Sequence, residues 1–99
     1  MTENLGQKVY IAGKINGDPQ YMDKFEEAER NLEERGYIPL NPAMLPTGMQ
    51  QGDYMRICLA MIDTADLVAF LPGYRTSPGA RLERAYCEYI GKQCRTLYK

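Results

Sequence analysis

Four short apolar runs alternate with longer amphipathic stretches, and this alternation limits the possible fold more than any other feature of the chain. The runs occupy residues 8–13, 37–41, 66–72 and 93–98, and most of their residues are apolar, β-branched or aromatic. The third run, DLVAFLP, is almost wholly apolar, as expected of a central strand covered on both faces. Strands that alternate with helices form parallel sheets with helices on both faces. We therefore predict a doubly wound α/β fold with four parallel strands in the order 2-1-3-4.

Three helices are predicted between the strands, each with its own start signal. The first would begin with Asp18 as N-cap and Pro19 at the first helical position. The second would be capped by Asp53. The third has Ser77 as N-cap and Pro78 at the first helical position, followed by a helix to residue 90.

Length and charge exclude several classes of protein. The 99 residues are enough for one domain with a modest core, spanning 1–99. A net charge of -1 gives no electrostatic basis for binding a nucleic-acid polymer or a membrane surface. The apolar runs are far too short to span a bilayer. The first seven residues are polar and lack a signal-peptide pattern, so we expect a cytoplasmic protein.

The sequence contains no histidine, which excludes Ser/His and Cys/His catalysis and histidine-ligated metals. Acid–base chemistry must then come from carboxylates, tyrosines or lysines. The three cysteines, Cys58, Cys87 and Cys94, lack metal-site or redox spacing, and we expect buried free thiols. No metal or organic cofactor is implied.

The loops after the first and third strands are the predicted ligand site. Parallel sheets bind ligands beyond the carboxyl ends of their strands, where the strand order reverses. The first loop contains Gly13, Lys14 and Ile15, and the third leads into the Ser-Pro-Gly helix start. Free backbone N–H groups at this helix start, which contains Ser77 and Gly79, favour an anion such as a phosphate, which Lys14 would help to neutralise. The alternative is that Ser-Pro-Gly is simply a good helix start.

Glu83 stands apart from the other charges of the third helix. A helical wheel gives an apolar arc centred near Leu82 and Tyr86, with most charged residues opposite. Glu83 falls at the edge of that arc, one turn above Gly79. A partly desolvated carboxylate beside an anion site is expected to have a shifted pKa, which suits a nucleophile or an acid/base group. The alternative is a boundary glutamate that reaches water or pairs with an arginine.

Tyr10 and a group of methionines are further candidates. The Tyr10 hydroxyl, on the first strand, is placed to orient a carboxylate in the same crevice; the alternative is a packed core tyrosine. Met44, Met49 and Met55 surround the Pro- and Gly-rich loop at residues 42–52. Core filling is the role favoured for most of them, and an adaptable apolar wall for a base or ring is the alternative.

Four segments of the chain resemble a known family. VYIAGKING, NPAMLP, DYMRICLAMIDTADLVAFLPGY and SPGARLERA resemble, in that order, the DUF4406 family of small phage and bacterial proteins. That family is similar to the nucleoside 2-deoxyribosyltransferases and the deoxynucleotide N-glycosidases. The resemblance extends from residue 8 to about residue 94.

The resemblance implies a role for each candidate residue. Glu83 corresponds to the glutamate that attacks the anomeric carbon of a nucleoside and expels the base, and Tyr10 to the tyrosine that positions it. Ser77 and Gly79 correspond to residues that hold the 5′-phosphate of a nucleotide. The further substrate-binding candidates are Gly13, Lys14, Ile15 and Asn41. The implied ligand is a small nucleoside or nucleotide.

Two departures from the enzymes keep other functions open. The enzymes carry an aspartate where this chain has Cys58, which favours the alternative of a non-catalytic nucleotide or sugar-phosphate binding protein of phage or prophage type. A structural or host-interaction protein is a third hypothesis. The enzymes also continue beyond the fourth strand with a segment that often completes a neighbouring subunit's site, so a homo-oligomer is expected here.

Overall fold

The computed structural model describes residues 5–98, and its single sheet has the predicted strand order. All three strand pairs are parallel, and the order is β2-β1-β3-β4. Tyr10 of β1 lies opposite Leu40 of β2 and Val68 of β3. The strands are β1 (Lys8–Ala12), β2 (Ile38–Leu40), β3 (Leu67–Phe70) and β4 (Cys94–Thr96). The doubly wound α/β prediction is confirmed.

Helices cover both faces of this sheet. They are α1 (Tyr21–Glu34), α2 (Gln51–Thr64) and α3 (Pro78–Ile90), with short 3₁₀ turns at Pro42–Met44 and Tyr74–Thr76. None of the helices within residues 5–98 has the length and apolar character needed to cross a bilayer.

The sheet separates two apolar layers because successive side chains of a strand point to opposite faces. Val9 and Ile11 of β1 pack with Phe25 and other residues of α1 on one face. Tyr10 of β1 packs with residues of α2 and α3, including Ile62, on the other. Tyr10 therefore points into the layer that also contains α3, and this direction positions it for the site.

Two of the predicted helix starts are wrong: the N-cap of α1 is Gln20, two residues after Asp18, and that of α2 is Gln50, three residues before Asp53. Asp18 does not cap α1; its carboxylate accepts a hydrogen bond from the Gln20 N–H (2.9 Å) in a turn that precedes the helix. Asp53 does not cap α2, which begins at Gln51. The Asp53 carboxylate instead accepts a hydrogen bond from the Gln50 N–H at the helix start (3.2 Å). In both cases the acidic residue accepts a hydrogen bond from a backbone N–H at the start of the helix, but it does not occupy the N-cap position that was predicted for it.

The predicted orientation of α3 is also wrong. The apolar arc around Leu82 and Tyr86 was expected to face the core, but Leu82 is 52% exposed, and the buried residues are Ala80, Glu83 and Cys87. Ala80 and Cys87 have small side chains, which let the helix lie close to the sheet. Tyr86 instead donates a hydrogen bond to the Asp63 carboxylate of α2 (2.6 Å). This rotation places Glu83 in the interior.

The predicted start of α3 is confirmed, and it supports a stability prediction. The Ser77 hydroxyl accepts a hydrogen bond from the Ala80 N–H (3.2 Å). We expect Ser77→Ala to lower the free energy of unfolding by about 1 kcal/mol because that N–H loses its partner. Urea unfolding measures the change, and Ser77→Asn, which keeps a capping oxygen, is the matched control. Equal stability of the two variants would contradict the capping role.

Candidate functional site

A cavity of about 1000 Å³ opens at the carboxyl edge of the sheet, where the loops after β1 and β3 meet. This is the position at which parallel α/β sheets bind ligands. Six of the eight predicted site residues line it: Tyr10, Gly13, Ile15, Ser77, Gly79 and Glu83. The structure thus brings most of the candidates into one space.

A buried hydrogen bond joins the two main candidates across the sheet–helix interface. The Tyr10 hydroxyl donates to Oε2 of Glu83 at 2.9 Å. Glu83 is 6% exposed and Tyr10 is 1% exposed, so the bond is shielded from bulk water. A buried carboxylate needs such a donor because its ionised form loses hydration. The tyrosine therefore fixes the direction in which the carboxylate presents its other oxygen.

Burial shifts the acidity of this group of side chains. It raises the pKa of Glu83 to about 7, with hydrogen bonding by Tyr10, and secondarily by Cys58, opposing the rise. Burial raises the pKa of Cys58 to about 11, and it holds the pKa of Tyr10 well above its usual value. At neutral pH the thiol and the phenol are thus protonated. Glu83 is the group that exchanges a proton near neutrality, as a nucleophile or an acid/base group requires.

Cys58 is part of this site. It is buried on α2 and lines the cavity together with Tyr10 and Glu83. The sequence identified it only as a buried thiol and as a departure from related enzymes. In the structure it is a neutral, uncharged neighbour of the carboxylate. An aspartate here would place a second carboxylate beside Glu83.

Part of the cavity wall is apolar and aromatic. Met49 and Met55 line it, which matches the hypothesis of an apolar wall and not core filling, whereas Met44 is 72% exposed. Tyr54 fixes this wall, because its hydroxyl accepts a hydrogen bond from the Met49 N–H (3.2 Å) and donates to the Pro46 carbonyl (2.5 Å). An apolar wall opposite a few polar groups is the usual composition of a small-molecule site.

Tyr21 and Tyr54 are lining residues that sequence reasoning missed. Tyr21 is the first residue of α1, and Tyr54 lies near the start of α2. The available signal was their position: each lies in the first turn or so of a helix that follows a strand and its loop, and therefore at the carboxyl edge of the sheet.

The start of α3 presents backbone to the cavity. Ser77 and Gly79 both line it, and within residues 5–98 the Gly79 N–H has no protein acceptor. A β-carbon added to Gly79 would meet only the Met55 side chain, at 3.8 Å. The N–H is therefore open to an acceptor group on a ligand.

Packing requires a small residue at position 13, in addition to the place of Gly13 on the cavity. A β-carbon there would lie 3.2 Å from the side chains of Leu71 and Phe25. Any larger residue would push these core side chains apart. Gly13 therefore lets the loop after β1 lie close to the core.

Lys14 and Asn41 are not among the residues that line the cavity. The Asn41 side chain accepts a hydrogen bond from the Ala43 N–H (2.9 Å) and donates to the Glu29 carboxylate (2.8 Å). It shapes the turn after β2. Lys14 lies against Gly17, with its side-chain nitrogen 4.0 Å from a β-carbon placed on that glycine.

Removing the tyrosine hydroxyl should raise the pKa of Glu83 above about 7, because the hydrogen bond that favours its ionised form is lost. We expect Tyr10→Phe to move the ¹³C-NMR titration of the Glu83 carboxyl to higher pH and to cost about 1–3 kcal/mol of stability. Tyr37→Phe, on the opposite face of the sheet, is the control. An unchanged titration in Tyr10→Phe would show that the bond does not set the acidity of Glu83.

Fold and site together define a small doubly wound α/β domain with a buried tyrosine–glutamate pair in a ligand-sized cavity. The chain belongs to the family described as "Domain of unknown function (DUF4406)", which matches residues 7–96. The match covers all four strands and all three helices. No curated protein matches the chain significantly.

Proposed function

We propose that this protein cleaves or transfers the N-glycosidic bond of a nucleoside or nucleoside 5′-monophosphate, with Glu83 as nucleophile. The observation that supports it most is the buried Tyr10–Glu83 hydrogen bond, 2.9 Å long, facing a cavity large enough for a nucleoside. A buried carboxylate with a pKa of about 7 lowers the stability of the folded protein at neutral pH, and groups with pKa values shifted in this way cluster at functional sites.

The resemblance to the nucleoside 2-deoxyribosyltransferases and deoxynucleotide N-glycosidases supports the same residue. Glu83 corresponds to their nucleophile, and Tyr10 to the tyrosine that positions it. Geometry and resemblance are separate arguments, and they agree on this pair of residues.

The proposed reaction has two steps. The ionised Glu83 carboxylate attacks the anomeric carbon and forms a C1′–O ester bond. The C1′–N bond breaks, its electron pair stays with the base, and the base takes a proton from water in the open cavity. In the second step water or another base attacks C1′, loses a proton to solvent and gives back the Glu83 carboxylate. The Tyr10 hydroxyl keeps one carboxylate oxygen occupied, so that the other is directed at the sugar.

Chromatography of released base tests the proposal. The protein is incubated with a panel of ribo- and deoxyribonucleosides and their 5′-monophosphates, with and without a second free base. Release of base indicates a hydrolase, and exchange of base indicates a transferase. Glu83→Gln is the matched control, since it keeps the size of the side chain and an acceptor for Tyr10. Turnover that survives in this variant would remove Glu83 from the reaction.

A non-catalytic nucleotide or sugar-phosphate binding protein of phage or prophage type is the second candidate. Cys58 favours it, because the related enzymes carry an aspartate at this position and the thiol is neutral here. This function would give a higher melting temperature with a nucleotide and no released base. The same panel, read by thermal unfolding as well as by chromatography, separates the two candidates.

A further inference from the structure

The charged residues that line the cavity within residues 5–98 are both acidic, although one of them, Asp18, is paired with Lys24. Two carboxylates face the cavity, Glu83 at the sheet and Asp18 in the loop that precedes α1. No lysine or arginine is found among its lining residues within the 5–98 range. An anion entering this space would approach carboxylates without meeting a lining cation.

The basic side chains around the rim already have charged or aromatic neighbours. Lys14 lies beside the lining residue Gly17, and its charge favours the ionised form of the nearby Asp18 carboxylate. Lys24 forms an ion pair with Asp18 (2.8 Å), and Arg56 pairs with Asp53 (3.0 Å). Arg84 follows Glu83 in the sequence but stacks on Phe70, with its guanidinium carbon 5.2 Å from the ring centroid. To reach a phosphate in the cavity, these side chains would first have to leave those neighbours, which opposes phosphate binding.

A phosphate in the cavity would also act on Glu83. Like charges disfavour ionisation, so a nearby dianion would raise the pKa of the carboxyl further and keep it protonated. A protonated carboxyl cannot attack the anomeric carbon. The Gly79 N–H needs no anion as partner, because a neutral hydroxyl oxygen also accepts a hydrogen bond.

We infer that the substrate is an uncharged nucleoside, and that the site selects against a 5′-phosphate. This inference rests on the proposed function and narrows it. The start of α3, with Ser77 and Gly79, would then receive the sugar 5′-hydroxyl. The part of the apolar wall formed by Met49 would lie against the base.

Equilibrium binding tests the inference without turnover. The probes are pseudouridine and formycin A, each compared with its own 5′-monophosphate, because their carbon–carbon glycosidic bonds resist cleavage. Calorimetry with the wild-type protein at about pH 8, where Glu83 is ionised, should give at least about tenfold tighter binding of the uncharged member of a pair. Equal or tighter binding of the monophosphate would overturn the inference, as would no binding of any probe.

A charge introduced beside Gly79 should change this preference. Met55 is the side chain nearest to the Gly79 β-position (3.8 Å), so Met55→Arg places a cation where a 5′-phosphate would lie. We expect the preference for the uncharged probe to shrink by about tenfold or to reverse. Met55→Gln, a neutral side chain, is the matched control and should keep the preference. Equal ratios in the two variants would show that charge does not set the selectivity.

Base release separates this inference from the proposed function. Faster release from nucleosides than from their monophosphates supports both. Faster release from monophosphates overturns the inference and leaves the function standing. Release from neither overturns the function as a catalyst, and the binding comparison then decides the inference alone.

Discussion

Replacing Glu83 with glutamine should make the protein more stable at neutral and alkaline pH. The Glu83 carboxyl has a pKa of about 7 in the folded protein, against an ordinary value of 4.5. The folded state therefore binds the proton more tightly than the unfolded state, and wild-type stability falls as the pH rises from about 4.5 to about 7. At about 1.4 kcal/mol for each pH unit, Glu83→Gln should gain about 3 kcal/mol above that range.

Urea unfolding at about pH 4.5, 6 and 8 measures this difference. The gain of Glu83→Gln over the wild type should be near zero at the lowest pH and largest at the highest. The same variant should lose base release by about 10⁴-fold or more, as removal of a nucleophile does. A stability difference that is the same at every pH would contradict the raised pKa, whatever happens to activity.

Glu83→Gln is thus expected to raise stability and to abolish base release, and this combination indicates why a glutamate occupies position 83. A carboxylate kept only for stability would not be placed where its ionisation costs about 3 kcal/mol. Functional groups are commonly retained at such a cost, because catalysis needs reactive, poorly solvated side chains. A loss of activity together with a gain of stability is thus the result that distinguishes a working carboxylate from a boundary glutamate.

The fold was predictable from the sequence because its signals are local. A strand such as Leu67–Phe70 has four apolar residues in a row, and Ser77 with Pro78 is a strong helix start. Once strands and helices alternate, handedness and packing leave few arrangements of the sheet. The observed order, β2-β1-β3-β4, is one of these few arrangements.

The rotation of α3 was not predictable in this way. The helical wheel ranked residues by hydrophobicity, but packing against the sheet selected the small side chains of Ala80 and Cys87. Leu82 and Tyr89 are left exposed as a result. Close approach of two elements depends on side-chain size at the contact, which a count of apolar residues does not capture.

The candidate site was predictable in its centre and less so at its rim. Tyr10 and Glu83 come from elements whose positions the sheet fixes, and they form the expected pair. Lys14 and Asn41 lie in loops, and neither side chain lines the cavity. Loop side chains are oriented by local hydrogen bonds, such as that of Asn41 with the Ala43 N–H, which the sequence alone does not specify.

Introducing a second carboxylate at Cys58 should have the other large effect. Cys58 is 7% exposed and lies beside Glu83, so in Cys58→Asp two buried carboxyls would compete for ionisation. Burial and like charge would raise the pKa of both, and the folded state would hold protons that the unfolded state releases. We expect a loss of about 3 kcal/mol or more at about pH 8, most of it recovered at about pH 5.

Cys58→Asn is the matched control, since asparagine has nearly the same size and shape as aspartate and is also polar, but carries no charge. Urea unfolding of both variants at about pH 5 and 8 separates volume from ionisation. A pH-dependent loss in Cys58→Asp alone would mean that the neutral thiol keeps the Glu83 carboxyl within reach of neutrality. An equal loss in both variants at both pH values would mean that only the shape of the thiol matters. In that case the pKa of Glu83 would be set by burial and by Tyr10, without a contribution from the charge state of its neighbour on α2.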